Sequence, residues 1–600
     1  MSLLKSFTAS VLGLALFTAA APGMTTNFLS GSVTASATWS GINVLSEAVV
    51  IRSNVVVTIE PGARLLMEAG AGLLVEGQLL ANGTSNQPIT ITRAGTSGTW
   101  SRLVFVRAQP SRLRHCVIEF ANSVGDHQNY YDNDCNTNTP PLPRTYHEAV
   151  VSLGTHLDIE GCTFQNLPSN TGSRDGDAIA IISDDIQNPG PASAHIWNCR
   201  FISIGQGIHS RFSPLLVEHC TFSDKRGDND DVDMYGESTP VPVIRYNTFL
   251  AGHEDKINPT RCSAIIYGNF ISGGDDHGVV LRDKCNPIVF NNIISNFTAA
   301  AISVQNQCDA LIANNTILNS GRGVRMFDHT ARHGPPYCLF PGNGKATIIN
   351  CIIWNTPSGA VTMEASTFQP HPVVTVINCD VQGGPGSIVT NNANCVINWG
   401  SGNINADPQF TNGQHLRASS PCIDAGTNAL LLTSSNWTAS ITNDYDGLPR
   451  PLDGNGDGLA RFDIGAYEFL LASADSNGDG IPDGWTQRYG LNPTDPTVAA
   501  GNPDNDPHTT LQEWIADTDP TNVLSYFRIE AISNLSPVAV QVPTSASRRY
   551  TLLSSAALAD ATPFIPVPGQ TNVSGNGGIL TLTDTNAAAA QFYRVGVTVP

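Results

Sequence analysis

A short phrase that recurs through the middle of the chain limits the possible folds more than any other feature of the sequence. The phrase alternates apolar and polar residues, passes through Asn, Cys, Gly or His, and closes on Phe or Ile. A second short apolar run follows each phrase after a turn rich in Gly or Asp. The phrases close at Phe164, Phe201, Phe222, Phe249, Phe270, Ile293, Ile317 and Ile353, and the second runs are centred on Ile179, Ile208, Val232, Ile257, Val279, Ile302, Val324 and Val361.

Such a repeat predicts stacked units. Alternation places every second side chain of a strand on one face. A unit of two or three short strands cannot bury its apolar face alone, so neighbouring units must cover one another. The pattern resembles the right-handed parallel β-helix of the pectate lyase-like superfamily, and the resemblance covers residues 38–400. It implies an all-β rod of about 14–15 turns.

The cysteines follow the same repeat. Cysteine stands where other repeats have asparagine, which predicts one inward column of stacked Cys and Asn side chains with free thiols. Cys135 and Cys338 lie instead in loop-like segments and could pair in an exported protein. The chain has no CxxC motif, so a zinc site is not expected. The column consists of Cys116, Cys162, Cys199, Cys220, Cys351 and Cys379.

The N-terminus and the charge balance indicate where the protein is located and which partners it can bind. Lys5, a short apolar stretch and small residues predict a secretory signal peptide over residues 1–23. We therefore expect a secreted or cell-surface bacterial protein without membrane insertion, and a monomer. The 31 Lys+Arg against 51 Asp+Glu give a net charge of −20, which argues against nucleic acid as a partner.

The C-terminal third predicts three further parts. Residues 401–470 resemble the module that closes β-helices in bacterial surface proteins. Residues 473–522 resemble a linker of calcium loops of the thrombospondin type 3 and EF-hand kinds, although Pro507 replaces the usual glycine. Residues 526–600 predict a small Ig-like β-sandwich. The expected calcium ligands are Asp475, Asn477, Asp479 and Asp483 in the first loop and Asn502, Asp504, Asp506 and Glu513 in the second.

Candidate functional residues concentrate between residues 200 and 335. When the second runs are aligned, the positions one before, one after and three after the central apolar residue are expected to face solvent, about 4.8 Å apart from turn to turn. The position before holds Asp231 and Lys256; the position after holds His209, Asp233, Asn258 and Arg325; the third holds Arg211, Tyr235 and Arg282. The turns leading in add Asp230, His253, Asp276 and His277.

This combination suits β-elimination on a uronate-containing glycan. The C5 proton of a uronate is removed only when a cation neutralises the carboxylate and a base reaches C5. The residues resemble those of calcium-dependent pectate lyases and of alginate and chondroitin lyases. That resemblance implies calcium at Asp230, Asp231 and Asp233, Lys256 as base and Arg282 as neutralising cation. The expected substrate contacts are His209, Arg211, Tyr235, Asn258, His253 and Arg325.

Two other functions stay open. The segment GGDDHG resembles the Asp pair and histidine of polygalacturonase-type hydrolases, and an inverting hydrolase could use Asp231 or Asp233 with Asp276 and His277. A non-catalytic adhesin that binds glycan would need none of this chemistry, and Lys256 would then form a surface ion pair. In each case the expected partner is an extracellular polysaccharide, which the lyase hypothesis makes acidic.

Overall fold

The structure is a computed structural model of the 600-residue chain. It describes residues 26–121, 146, 148–168, 176–183, 190–224, 230–329, 340–411, 414–428, 431–434, 437–533, 536–558, 563–587 and 591–600. The expected signal peptide and the possible Cys135–Cys338 pair lie outside these residues. The chain divides into two compact units, one reaching Leu448 and including Phe462–Tyr467, the other formed by Pro449–Arg461 and Glu468–Pro600.

The first unit is a parallel β-helix, as the repeat predicted. Each complete turn contributes one strand to each of three parallel ladders, here called the first, second and third sheets. The first sheet has fourteen strands, in agreement with the expected 14–15 turns. They are Ala37–Trp39, Val56–Ile59, Gln78–Asn82, Ser111–Arg114, His156–Glu160, Ser193–Trp197, Leu215–Glu218, Val243–Arg245, Ile265–Tyr267, Ile288–Phe290, Asp309–Ala313, Lys345–Ile349, Val373–Ile377 and Val396–Trp399.

The second and third sheets form a continuous network of 26 strands, because Thr26–Val33 and Ile42–Ile51 run through both. The other strands of the second sheet are Arg64–Met67, Ile89–Arg93, Cys116–Glu119, Thr163–Gln165, Arg200–Ile202, Thr221–Ser223, Thr248–Phe249, Phe270–Gly274, Ile293–Phe297, Thr316–Leu318, Ile352–Trp354 and Asp380–Val381. Those of the third sheet are Leu73–Val75, Leu103–Val106, Val150–Leu153, Ile179–Ile182, Ile208–Arg211, Val232–Tyr235, Ile257–Thr260, His277–Leu281, Ala300–Gln305, Val324–Phe327, Val361–Glu364 and Ile388–Thr390.

Identical side chains stack along the core of the rod. Phe164, Phe201, Phe222 and Phe249 form one column, with neighbouring ring centroids 5.1, 4.5 and 4.7 Å apart and the rings nearly parallel. Equivalent residues can stack in this way because a parallel ladder repeats its register every turn. The third sheet keeps such a register, so that each central residue of the second runs pairs with the next one along the chain.

A second inward column joins the cysteines to the asparagines. Asn292 accepts a hydrogen bond from the backbone N–H of Asn269 at 3.0 Å and donates to the carbonyl of Ile266 at 3.0 Å. Cysteine makes the same contacts in weaker form, since the Cys162 thiol accepts from the N–H of Cys116 at 3.3 Å. None of the described cysteines forms a disulfide, which agrees with the predicted free thiols in this column.

The remaining elements are short. A 3₁₀ helix, Gly384–Ser387, joins the last strands of the second and third sheets, and a hairpin, Leu431–Ser434 with Trp437–Ser440, follows the rod. The second unit begins with two α-helices, Asp483–Arg488 and Thr510–Ala516, and a 3₁₀ helix, Val498–Ala500. Of the described helices, none has the length and apolar character needed to cross a membrane.

The C-terminal unit ends in two antiparallel sheets that share one core. The core contains Val540, Val542, Tyr550, Leu552 and Leu582, so the two sheets form a small β-sandwich, as expected. One sheet holds Ala531–Ile532, Val538–Pro543 and Ile579–Asp584; the other holds Arg549–Ser555, Ile565–Pro566, Val573–Ser574 and Phe592–Thr598. The Ig-like character of this region stays a prediction.

Candidate active site

Two rows of polar side chains follow the outer face of the third sheet. Val232 points into the core, so Asp233 and Tyr235, which lie on the other face of the same strand, point outward. Strand pairing aligns Asp233 with His209 on one neighbouring turn and with Asn258 on the other. The aligned row that the sequence predicted one position after the central residue is therefore present.

The second outward row lies two residues further along each strand. Arg211 is aligned with Tyr235, Tyr235 with Thr260, and Thr260 with Arg282. The prediction that both rows face solvent is wrong from the turn of His209 to that of Arg282, because these side chains are almost completely buried. Phe340 packs on Arg261, which directly follows Thr260 of the second row, with its ring centroid 5.1 Å from the guanidinium carbon.

The row one position before the central residue was also predicted to face solvent, but it points into the rod. Lys256 is 0% and Asp231 is 2% exposed, and their Nζ and Oδ2 atoms are 3.6 Å apart. The same position in other turns holds Ala178 and Ala301, which belong to the main hydrophobic core. The chain bends here from the second sheet into the third, so the alternation that would turn this row outward is interrupted. Lys256 and Asp231 thus form an ion pair inside the wall of the rod.

His209 and Asp233 form a hydrogen-bonded pair on the outward face. Nδ1 of His209 lies 3.1 Å from Oδ2 of Asp233, and both residues are buried. In the tautomer in which Nδ1 donates to the carboxylate, Nε2 carries the lone pair and can accept a proton. The carboxylate also holds the imidazole ring in one orientation, which is the usual arrangement around a general base.

Tyr235 is placed between two arginines. The guanidinium carbon of Arg211 lies 4.3 Å from the centroid of the Tyr235 ring, and Nη1 of Arg261 donates to its hydroxyl oxygen at 2.7 Å. A phenol hydroxyl can accept one hydrogen bond and donate another. Arg261 was missed from the sequence, since it lies four residues after Ile257 and so outside the three rows; its position directly after Thr260 is the signal that could have found it.

Asp255 connects His277 and Arg282 of the next turn, and the sequence did not indicate it as a catalytic residue. Its Oδ1 accepts from Nδ1 of His277 at 3.1 Å, and its Oδ2 accepts from Nη2 of Arg282 at 3.2 Å. Asp276 also approaches Nδ1 of His277, at 2.6 Å. Burial lowers the pKa of His277, but the hydrogen bonds to Asp255 and Asp276 outweigh it and raise the pKa to about 9.

His277 is therefore an imidazolium at neutral pH, held between two carboxylates. Asp255, Asp276 and His277 lie close enough together to hold a metal ion, with one ligand atom of each within 4.8 Å of the others. A protonated imidazole has no lone pair for a metal, and the Arg282 guanidinium adds a second positive charge. The two carboxylates are balanced by the imidazolium and the guanidinium, so the group has no excess of either charge.

The predicted calcium ligands of the rod each have a different partner. Oδ2 of Asp230 accepts from Nδ2 of Asn258 at 2.5 Å, whereas Asp231 pairs with Lys256 and Asp233 with His209. Within the described residues, these three carboxylates do not form a group of converging ligand atoms. The structure therefore does not bring the expected calcium site of the rod together.

Two further predicted substrate contacts lie apart from this cluster. His253 is largely exposed, with Nδ1 2.6 Å from Oδ2 of Asp275, which is exposed too. Arg325 belongs to the outward row but forms a two-pronged ion pair with Glu364, at 2.8 and 3.2 Å. Among the described residues, no hydrogen bond links either His253 or Arg325 to the cluster of His209 and Tyr235.

The first predicted calcium loop of the C-terminal unit uses its oxygens internally. The two carboxylate oxygens of Asp475 accept from the N–H groups of Asp479 and Gly480 at 3.1 and 2.8 Å. Asn477 accepts from the same N–H of Asp479 at 3.0 Å, and Asp483 accepts from the backbone and hydroxyl of Ser476. The side-chain oxygens of this loop thus accept hydrogen bonds from N–H groups of the loop itself.

The second predicted loop leaves its oxygens clustered. Ligand atoms of Asp504, Asp506 and Glu513 lie within 4.8 Å of one another. One carbonyl or carboxylate oxygen of each of these residues and of Asn502 is buried and accepts no hydrogen bond from the described residues. Burial and the charges of Asp506 and Asp504 raise the pKa of Glu513 to about 7. Four inward oxygens with this much mutual repulsion fit a hard divalent cation.

Comparisons with known proteins agree with the fold. A family model described as "Right handed beta helix region" matches residues 232–408, so the predicted resemblance to right-handed parallel β-helix proteins is confirmed. No curated protein matches the sequence significantly.

Several solved structures are similar to the chain at low identity. They include a periplasmic alginate epimerase, AlgG (11% identity, 58% of this chain and 78% of that one, TM-score 0.34), and a PL6 alginate lyase in complex with a trisaccharide (12%, 68% and 86%, 0.35). A GH136 lacto-N-biosidase from Eubacterium ramulus is also similar (14%, 58% and 63%, 0.28). Because every TM-score lies below 0.5, inferences about function rest on this chain's own residues.

Proposed function

We propose that the protein is an exported polysaccharide lyase that cleaves a uronate-containing glycan by β-elimination on the outer face of the third sheet. One observation carries the proposal: the His209–Asp233 pair lies beside Tyr235, which is held between Arg211 and Arg261. A base, a proton donor and two cations on adjacent turns are the parts that β-elimination requires.

The reaction assigns one step to each group. Nε2 of His209 takes the C5 proton, and the electron pair of the C–H bond passes into an enolate stabilised at the uronate carboxylate. The enolate then forms the C4–C5 double bond as the C4–O4 bond breaks. The hydroxyl of Tyr235 gives its proton to the departing O4 oxygen, and the phenolate is stabilised by Arg211 and Arg261.

The arginines also suit a polyanionic chain. Arg211 neutralises the carboxylate of the reacting residue, which makes its C5 proton more acidic. Arg282 lies two turns further along the same row as Tyr235, about 9.6 Å away at 4.8 Å per turn, where a neighbouring uronate of the polymer can be bound. Since both guanidiniums are buried, their attraction for carboxylates is stronger than it would be in water.

Lys256 has a different role in this proposal from the one expected of it. Lys256 belongs to an inward-facing column, shared with the core residues Ala178 and Ala301, and therefore points away from the outward rows on which a polysaccharide would lie. Its ammonium group instead balances Asp231 one turn away, so that Lys256 supports the wall beneath His209 and Asp233.

The structure gives less support to an inverting hydrolase. A hydrolase needs one carboxylic acid that keeps its proton. Each carboxylate of the expected pair already has a partner: Asp231 lies beside the ammonium of Lys256, Asp233 is paired with His209, and Asp276 lies 2.6 Å from Nδ1 of His277. A non-catalytic adhesin stays the third possibility and is separated from the lyase by experiment.

The test uses purified full chain and a panel of polyuronates, namely alginate, polygalacturonate, hyaluronan and chondroitin sulfate. A lyase produces a new ultraviolet absorbance from the C4–C5 double bond on at least one of them. His209→Ala and Tyr235→Phe are each expected to lower kcat/KM by about 10²–10⁴-fold, as for the loss of a general base or acid.

Arg200→Ala is the matched control for Arg211→Ala, because Arg200 is exposed on the second sheet; only Arg211→Ala should lower activity. New reducing ends without the absorbance would establish hydrolysis instead. Binding without either product, across the panel, would favour the adhesin.

We also propose that the loop of Asn502, Asp504, Asp506 and Glu513 binds calcium as a structural ion. The four buried oxygens support this assignment, and the loop belongs to the second unit, whereas His209 and Tyr235 belong to the first. Isothermal titration of calcium into the chelator-treated chain tests it, and Glu513→Gln is expected to abolish the binding.

A further inference from the structure

A cavity of about 160 Å³ lies on the outer side of the first sheet, away from the residues assigned to catalysis. One wall is formed by rings from three consecutive turns, Tyr246, Tyr267 and Phe290, and the other by residues 441–444. All of these residues belong to the first unit. A cavity of about 150 Å³ holds one six-membered ring, so the space fits a single ring of a ligand.

The aromatic wall has two orientations. Tyr267 and Phe290 are stacked, with centroids 4.6 Å apart and planes within 8°. Tyr246 stands nearly perpendicular to Tyr267, at 77°, and is 41% exposed. The three rings therefore form a corner that is open to solvent at Tyr246, where the apolar face of a flat ligand can pack against one ring and its edge against another.

Polar groups complete the cavity on the opposite side. Nδ2 of Asn291 donates to the backbone carbonyl of Asn443 at 2.7 Å, which fixes the amide. Its Oδ1 is buried in the cavity lining and accepts no hydrogen bond from the residues that the structure describes. A buried acceptor of this kind needs a donor, because leaving a buried polar atom without a hydrogen bond destabilises the protein.

The charge of the lining selects among ligands. Asp444 is buried in the lining, and no Lys or Arg side chain belongs to the described lining of the cavity. Arg245 lies next to the aromatic wall, where it donates to the hydroxyl of Tyr267 at 2.8 Å, but its charge is paired with Glu218 at 2.6 Å. An anionic ring would be repelled, whereas a hydroxyl-bearing ring can donate to Asp444 and to Asn291. Aromatic faces combined with a few fixed polar groups are the usual composition of a small-ligand site.

We propose that this cavity is a binding site for one uncharged pyranose residue, with the C–H face of the sugar on Tyr246 and its hydroxyl groups on Asn291 and Asp444. The site goes beyond the proposed lyase activity and does not depend on it. It would hold a neutral sugar of the glycan, or of a neighbouring glycan, on a sheet other than the one that carries the catalytic residues.

The experiment measures saturation transfer by NMR from the full chain to methyl β-D-glucopyranoside, methyl β-D-galactopyranoside and methyl α-D-mannopyranoside, each alone. At least one is expected to bind, and Tyr246→Ala should weaken it roughly five- to tenfold, the value of one aromatic contact. Tyr246→Phe keeps the ring and should bind as the unmodified chain does. Phe368→Ala, which removes an exposed ring outside the cavity, is the matched control and should have no effect.

The proposal is overturned if none of the three glycosides binds, or if Tyr246→Ala binds as well as Phe368→Ala. Tyr246 is partly exposed, so Tyr246→Ala should stay folded, and thermal unfolding confirms this. Tyr235→Phe, which changes the proposed catalytic face, should leave glycoside binding intact. Loss of binding in that variant would place the glycosides on the third sheet and contradict the proposal, whereas failure of the lyase test alone would leave it standing.

Discussion

Lys256 and Asp231 occupy positions where other turns of the rod have glycine or alanine. Gly207 and Gly278 stand in the same column, and a Cβ at Gly278 would come within 2.8 Å of the side chain of Ile294 in the core. Two charges in such a place lose their hydration, and their mutual attraction only partly compensates the loss. The pair therefore matters most when one member is removed and the other is left behind.

Removing a single member should destabilise the rod strongly. Lys256→Met leaves the Asp231 carboxylate buried without its ammonium, and we expect it to lower the free energy of unfolding by about 3–5 kcal/mol. The double variant Asp231→Ala with Lys256→Met should recover most of this loss, because no uncompensated charge remains. Chemical denaturation of the single and double variants measures the coupling. A Lys256→Met protein with native stability and no lyase activity would contradict this role and support Lys256 as the base.

His277 predicts a dependence of stability on pH. Its pKa in the folded chain is about 9, above the unfolded value near 6.5, so protonation stabilises the fold. This contribution is complete below about pH 6.5 and is lost as the pH rises through about 9, on the order of 3 kcal/mol. The groups that face the ring are Asp255 and Asp276, with Arg282 beyond Asp255.

The measurement is thermal unfolding from pH 6 to pH 10. We expect His277→Gln to lose the part of the pH dependence that lies in this window. His253→Gln, which changes an exposed histidine paired with Asp275, serves as the control and should follow the unmodified chain. Equal pH profiles for His277→Gln and the unmodified chain would show that the imidazolium contributes nothing.

At the level of single residues, the sequence predicted which side chains are aligned on adjacent turns better than it predicted their burial. The alignment of His209 with Asp233 and of Arg211 with Tyr235 followed from the repeat, because one residue per turn determines the register. The burial of Lys256 did not follow from the repeat. Inward and outward positions were predicted from the alternation of a regular strand, and the bend between the two sheets interrupts that alternation. Arg261 was missed for a related reason, as it lies at the end of its strand, where no row continues.

At the level of the element, the Asn and Cys column stabilises the turn between the first and second sheets of the rod. Nδ2 of Asn292 donates to the carbonyls of Ile266 and Phe290 at 3.0 and 2.9 Å, while Oδ1 accepts from the N–H of Asn269. These are backbone groups at the turn into the second sheet, where the ladder provides no partner. The repeated position in the sequence predicted this column, because only a small side chain with donor and acceptor character suits it.

Truncation at this position should be costly. Asn292→Ala leaves buried donors and acceptors without partners at about 1–3 kcal/mol each, and we expect a loss of about 2–5 kcal/mol in the free energy of unfolding. Asn292→Cys should lose less, because the thiols of this column accept from N–H groups and donate to carbonyls in other turns. Asn398→Ala, an exposed amide on the first sheet, is the control. If the Ala and Cys variants lost the same free energy of unfolding, a thiol would not replace the hydrogen bonds of the amide at this position.

For the molecule as a whole, the sequence predicted the rod and the C-terminal sandwich but not the cavity on the first sheet. The repeat gives the rod because each turn depends only on its neighbours. The cavity joins Tyr246 and Asn291 to residues 441–444, about 150 residues later in the chain, and no periodicity relates these segments. Calcium loops were predicted twice from alternating Asp and Asn, yet only one of them leaves its oxygens clustered, because spacing does not reveal which oxygens the loop's own N–H groups occupy.

The second unit should therefore respond to calcium through one loop. Calcium at about 100 times its dissociation constant adds about 2.7 kcal/mol of stability, which corresponds to a rise of roughly 5–10 °C in the midpoint of that unit. The reason is that the ion replaces the repulsion among Asp504, Asp506 and Glu513 with attraction. Scanning calorimetry with calcium and with chelator measures the shift, and the transition of the β-helix should not move. Glu513→Gln should abolish the shift, whereas Glu530→Gln, an exposed residue of the same unit, should retain it; a shift that survives Glu513→Gln would assign the ion to another loop.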